Sequence, residues 1–193
     1  MSRHGSIYTR LVQVSLYAVM ILAAPALFAR TFVAFGPQTY GRSTGAPQQV
    51  TTPFDVRNPN ASYTLEITDN TLSSAIVTLN GAEIFGTSDF NQKVGQLSKA
   101  VTLQAHNTLA VELRSAPENG FTLRITGVDN DLPTIVATTA PAANAAGWNN
   151  SDVTVLYACD DATSGVATCP GAKIVSVEGV VEVPGTATDI GPV

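Results

Sequence analysis

Residues Ser73–Gly86 read SSAIVTLNGAEIFG. Asn80-Gly81 lies between two apolar runs, and an Asn-Gly pair is the signature of a two-residue hairpin turn, because both central residues must take positive φ. The stretch predicts two antiparallel strands joined at residues 80 and 81, with Val77 and Leu79 facing inward. Working outward, the same period of two recurs. "SYTLEITD" places Tyr63, Leu65 and Ile67 on one face, with Thr64 and Glu66 on the other. "AVTLQAHNTLAVELRS" predicts a second hairpin turning near His106 and Asn107, its second arm alternating Leu109, Val111 and Leu113 against Ala110, Glu112 and Arg114. "NGFTLRITGV" turns Phe121, Leu123 and Ile125 inward. Short strands at a spacing of about 8–12 residues, each with one apolar face, predict an all-β fold of two antiparallel sandwich modules. No long window after Ala29 carries a helical period.

Composition agrees. Only 13% of the 193 residues are charged, and the formal charge is -5. Thr, Val, Gly, Asn and Pro are frequent, which favours strands and turns. An acidic chain with dispersed Lys and Arg does not fit a nucleic-acid partner, since phosphate binding needs a clustered basic surface.

The N-terminus has the pattern of a secretory signal. Arg3, His4 and Arg10 precede an apolar run, Leu11 to Ala29, that ends in small residues. Residues 1–29 are expected as a signal helix, cut after Ala26 or Ala29. The alternative is an uncleaved anchor, since this run approaches the length that crosses a bilayer, and a membrane contact would then be made through this segment alone. Gln13, Ser15 and Pro25 count against the anchor. Export places the protein outside the cell, on its surface or in the periplasm.

Both cysteines, Cys159 and Cys169, fall in "YACDDATSGVATCPG". An oxidising compartment pairs thiols. Two Cys with no nearby His are too few for structural zinc, and the spacing is not C-x-x-C. "DVTVLYAC" reads as a strand, "DDATSG" as turn chemistry, and "VATC" as a return beside the first strand, so an intrachain disulfide across that return is predicted. A composition change at "VDNDLPTIVATTAPAANAAGWNN" divides the mature chain into a module at 31–128, a linker with a first strand at 129–144, and a second module at 145–193.

"GWNNSDVTVLYACDDATSGVATCP" and "VEGVVEVPGTATD" resemble the immunoglobulin-like repeats of bacterial secreted and cell-surface proteins. The likeness runs over about 145–189 and rests on Gly147, Trp148, Cys159, Asp161, Ser164, Gly165, Cys169, Pro170, Thr186 and Asp189. "FGPQTYGRSTGAP", "VTLNGAEIFG", "DFNQKV" and "NTLAVELRS" resemble a module that often precedes such repeats. The resemblance implies exported, modular, non-catalytic β-sandwiches that act as spacers or binding units, and it supplies no catalytic residues. One departure stands out. After Asp189 the chain reads "IGPV", without the Ala-Gly-Asn and closing strand of the repeats. Either the chain is a truncated relative of a longer repeat protein, or another segment fills the gap; an unfilled edge would expose main-chain groups to any passing strand.

The function expected is that of a non-enzymatic, structural or adhesive module. No G-x-S-x-G, H-E-x-x-H or phosphate loop is present, and His106 is the one histidine after the signal. Glu66 and Glu112 could face each other across a sheet, but alternation already explains both as polar-face residues. The alternative is a binding module for glycan or calcium, with a cell-surface protein or glycan as partner. Calcium candidates are Asp129 and Asp131 of "DNDLP", with Asp160 or Asp161 contributing. Trp148, Phe54, Phe85, Phe90 and Tyr63 are the candidates for a sugar-stacking platform, although Trp148 also reads as a core residue.

Overall fold

The computed structural model describes residues 12–15, 29–91 and 93–190. None of these is helical. The strands in chain order are β1 (Val12–Ser15), β2 (Arg30–Gly41), β3 (Gln48–Asp55), β4 (Ser62–Thr68) and β5 (Ala75–Leu79). They continue with β6 (Ala82–Phe85), β7 (Leu97–Val101), β8 (His106–Leu113), β9 (Gly120–Asp129) and β10 (Thr134–Ala140). The last are β11 (Val153–Asp160), β12 (Val166–Thr168), β13 (Lys173–Val175), β14 (Gly179–Glu182) and β15 (Thr188–Asp189). The described residues form two compact units. The first comprises 29–131 with 162–164 and residue 190; the second comprises 12–15, 132–161 and 165–189.

The first unit holds two four-stranded antiparallel sheets, in the orders β2-β9-β4-β7 and β3-β8-β5-β6. Their inner faces supply one continuous core: Tyr63, Leu65, Ile67, Leu123 and Ile125 from one sheet, and Val77, Leu79, Leu109, Val111 and Leu113 from the other. This is the layering of a sandwich, and each such side chain contributes about 1.5–3 kcal/mol by leaving water. Asn80 (φ 51°) and Gly81 (φ 82°) form the tip between β5 and β6, where Leu79 pairs with Ala82, as the Asn-Gly sequence predicts. At Gly127 a Cβ would lie 2.5 Å from Phe32 Cζ and 2.7 Å from Tyr63 Cε1, so the bare backbone makes room for the edge-to-face contact of those two rings.

The second hairpin does not form. β7 pairs with β4, whereas β8 pairs with β3 and β5, so residues 102–105 pass from one sheet to the other. Asn107 explains the crossing. Its side chain is buried, accepts from Gln104 N (2.8 Å) and donates to Gln104 O (2.6 Å) and so replaces the ladder that a tight turn would have made.

The second unit is thinner. It contains a three-stranded antiparallel sheet, β10-β11-β13, with the pairs β12-β15 and β1-β14. Its buried cluster is Val153, Val155, Val175 and Val183, flanked by Ala137, Tyr157 and Val181. Tyr157 donates its hydroxyl to Val183 O (2.9 Å). Trp148, read from sequence as core, is half-buried and outside that cluster.

Two expectations change here. Val12–Ser15, within the segment expected as a signal helix, is a strand running parallel to β14, with Val12 opposite Gly179 and Ser15 opposite Glu182. Alternate valines favour extended chain, and among the described strands β14 has no other partner for its main-chain groups. Residues 1–11 and 16–28 lie outside the described part. The return arm before Cys169 is also displaced: β12 pairs with β15 and not with β11. The turn at 161–165 closes on itself, Gly165 N donating to Asp161 Oδ1 (2.8 Å) with Gly165 at φ 93°, and this turns the chain out of the β11 ladder.

Candidate functional site

The disulfide predicted from the sequence is present. Cys159 and Cys169 are bonded, with Cα atoms 5.9 Å apart. That distance falls in the ordinary range for a bridged pair.

Of the calcium candidates, Asp129 and Asp131 belong to the first unit, and Asp160 and Asp161 to the second. In the first, Asp129 is buried and accepts from Asp131 N (2.8 Å) and from Ser164 N (3.1 Å). Asp131 accepts from the Thr163 hydroxyl (3.0 Å), and that hydroxyl in turn accepts from Asn58 Nδ2 (2.9 Å). These carboxylates therefore organise turns. In the second unit Asp160 is exposed, while Asp161 is buried. Asp161 has a neighbour that the sequence did not single out as a ligand, the buried Asp189, with a carboxylate oxygen of each within 4.8 Å of the other.

The stacking candidates do not gather into a platform. Tyr63, Phe85 and Phe90 are core residues of the first unit, and Phe54 is half-buried against Phe35 with ring centroids 4.8 Å apart. Glu66 and Glu112 stand in different sheets of that unit. Glu66 takes Arg124 Nε at 2.6 Å, and Glu112 takes Arg114 through both carboxylate oxygens. The Arg114 hydrogen bonds hold the Glu112 carboxyl below its ordinary pKa. His106 opens β8 and meets Asp55 at 2.8 Å, both strongly exposed. These six acids and bases thus form three separate surface pairs.

The first unit also carries a depression whose wall residues lie far apart in the sequence. A cavity of about 340 Å³ is lined by Tyr40, Arg42, Asp69, Glu118, Asn119 and Phe121, together with the threonines 39, 71 and 122. Arg42 is buried beneath it, its guanidinium donating to the carbonyls of Ser43 and Gly45, and its main chain bonding Asn119 O and Glu118 N. Asp69 (φ 54°) and Glu118 (φ 68°) hold left-handed backbone on its rim, a conformation costly for residues other than glycine. The wall offers carboxylates, hydroxyls and an amide over two buried rings. Such groups can exchange hydrogen bonds with hydroxyls or amides of a bound molecule. The stretches "YGR" and "PENG" carry nothing in their local sequence that marks them as parts of one wall.

A scan against protein-family models finds no match to the chain, and a search of the curated proteins finds no significant relative.

Proposed function

We propose that this chain is a non-enzymatic, exported module of a secreted or cell-surface protein, with an immunoglobulin-like second unit and a structural or adhesive role. The observation that carries the reading is the distribution of ionisable side chains in the first unit. His106 with Asp55, Arg114 with Glu112 and Arg124 with Glu66 are spent in separate pairs across strand surfaces, which suits a solvated scaffold better than a reaction centre. The disulfide agrees with an oxidising compartment. The test is protease shaving of intact cells that express the tagged chain. Loss of the tag signal from intact cells, or its recovery from medium or periplasm, supports the reading, and a wholly cytoplasmic, protected chain sinks it.

A glycan-binding form of the same role is supported by the cavity over Arg42, with Asp69, Glu118 and Asn119 as hydroxyl partners. A glycan array probed with the chain and with Asp69→Ala/Glu118→Ala tests it: binding equal in both proteins removes this cavity as the site. A calcium-binding form is supported by the proximity of Asp161 and Asp189. Equal melting temperatures in millimolar calcium and in chelator remove that form, because a ligand specific to the folded state must stabilise it.

A further inference from the structure

The chain holds two Asn-x-Ser triplets, Asn60-Ala61-Ser62 and Asn149-Asn150-Ser151, and no third Asn-x-Ser/Thr. Such a triplet is the acceptor pattern for an N-linked glycan, and the reacting carboxamide has to reach solvent. The two are equivalent in sequence but not in structure. Asn149, in the second unit, is buried, and its Nδ2 donates to Pro141 O (3.0 Å) and Ala142 O (3.3 Å). Both N–H bonds of that amide are spent, so a glycan there would pull the side chain off two carbonyls. Asn60, in the first unit, lies in the turn between β3 and β4 and is exposed, as is Ser62. Other groups hold this turn. Asn58 Oδ1 accepts from Asn60 N (3.0 Å), while Asn58 O accepts from Ala61 N (3.2 Å) and from the hydroxyl of the core residue Tyr63 (2.8 Å). The Asn60 carboxamide takes part in none of these bonds, nor in any other among the described residues. A group attached at Asn60 Nδ2 therefore displaces no contact of the turn.

We propose that Asn60 is an acceptor for an N-linked glycan and that the fold selects it over Asn149. Its use in the cell rests on the export proposed above, and the donor there is a lipid-pyrophosphate-linked oligosaccharide. In the transfer, Asn60 Nδ2 bonds to the anomeric carbon of the first sugar. The bond from that carbon to the pyrophosphate oxygen breaks, the lipid pyrophosphate leaves with the electron pair, and Nδ2 releases one proton to solvent. Nothing is oxidised or reduced.

The experiment incubates the purified full chain with a purified single-subunit oligosaccharyltransferase that reads the triplet alone and with its lipid-linked donor. Mass spectrometry of the peptides reads the occupancy of each site. The folded, disulfide-bonded chain is expected to take the glycan on Asn60, with occupancy at Asn149 about tenfold lower or less, because that side chain must wait for a local opening. The reduced and unfolded chain is expected to take it on both. Asn60→Gln and Ser62→Ala are each expected to abolish transfer at this turn, the second while keeping the reacting carboxamide. An Asn60 left unmodified in the folded chain overturns the proposal, and so does equal occupancy of Asn60 and Asn149 there. Transfer that persists in Ser62→Ala overturns it too, since the triplet would then not be what is read. No step of this assay requires export, so a chain that proves cytoplasmic sinks the functional reading and leaves the acceptor result standing.

Discussion

Cys159 and Cys169 are covalently joined, although their strands share no hydrogen-bonded ladder: Cys159 lies in β11, opposite Ile135 of β10, and Cys169 follows β12, whose partner is β15. The bond ties together two small pieces of sheet that main-chain hydrogen bonds leave separate. A covalent link counts for more where a core is small.

Reduction should therefore loosen the second unit selectively. Closing a loop this short contributes on the order of 2–3 kcal/mol, against a buried cluster of four valines. Amide exchange in reducing buffer should accelerate across Val153–Asp160 and Lys173–Val175 while Ser62–Thr68 and Gly120–Asp129 keep their protection. Equal behaviour of the two sets would show that the second unit stands without its bridge.

Core truncations should differ in kind. Ile125→Ala removes a fully buried side chain from the large core of the first unit and should cost about 2–5 kcal/mol, read from denaturant midpoints. Val155→Ala deletes fewer atoms, yet it takes one of the four valines of the second unit's buried cluster, and there it should abolish a cooperative transition. A second unit that still melts sharply with Val155→Ala would mean its stability resides elsewhere.

Alkaline pH should weaken the first unit. Burial raises the pKa of Tyr63, and the carboxylate of Asp129 raises it further; burial likewise raises Tyr40, partly offset by the Thr52 hydroxyl, which sits outside strict hydrogen-bond geometry. A folded-state pKa above the unfolded value gives stability that is complete below about pH 10 and lost as pH rises through the folded-state value. Tyr63→Phe should cost about 0.5–1.5 kcal/mol at neutral pH, through the lost hydrogen bond to Asn58 O, and should flatten the alkaline decline. Parallel alkaline limbs for the two proteins would contradict this.

Asn70 should prove more costly to replace than its position in a loop implies. It is buried, its Oδ1 accepts from Leu72 N (3.0 Å) and its Nδ2 donates to Val94 O (2.7 Å), joining two loops that have no strand pairing. Asn70→Ala should destabilise the first unit by about 2–4 kcal/mol, since the main-chain groups it serves stay buried. A change within about 0.5 kcal/mol would show that water replaces the side chain.

The elements that the sequence made legible are those written in local chemistry. Alternation in Leu65–Ile67, Leu109–Leu113 and Leu123–Ile125 identified the inner faces, because a period of two needs only neighbouring residues. Asn80-Gly81 fixed its turn because positive φ is a property of two adjacent residues. Partnership was not legible. Nothing local tells Leu97–Val101 to pair with Ser62–Thr68 instead of with the strand that follows it, and Glu66 and Glu112 were drawn together only by assuming one sheet where there are two. The cavity over Arg42 was hidden for the same reason, since its wall comes from stretches near residues 40, 70 and 120 that meet only after the sheets close.

The outer ends of the first unit also impose an order of events. β2 pairs with β9 from Arg30↔Asp129 to Gly41↔Gly120, so the earliest strand of the unit waits for the latest. A chain emerging from the ribosome cannot complete this ladder until residue 129 is free, and ladders between ends so distant form slowly. During that interval Phe32 and Tyr40, which the finished unit buries, are exposed. Until the ninth strand arrives the two sheets cannot close over those rings, so sealing of the core is the last event in the assembly of this unit.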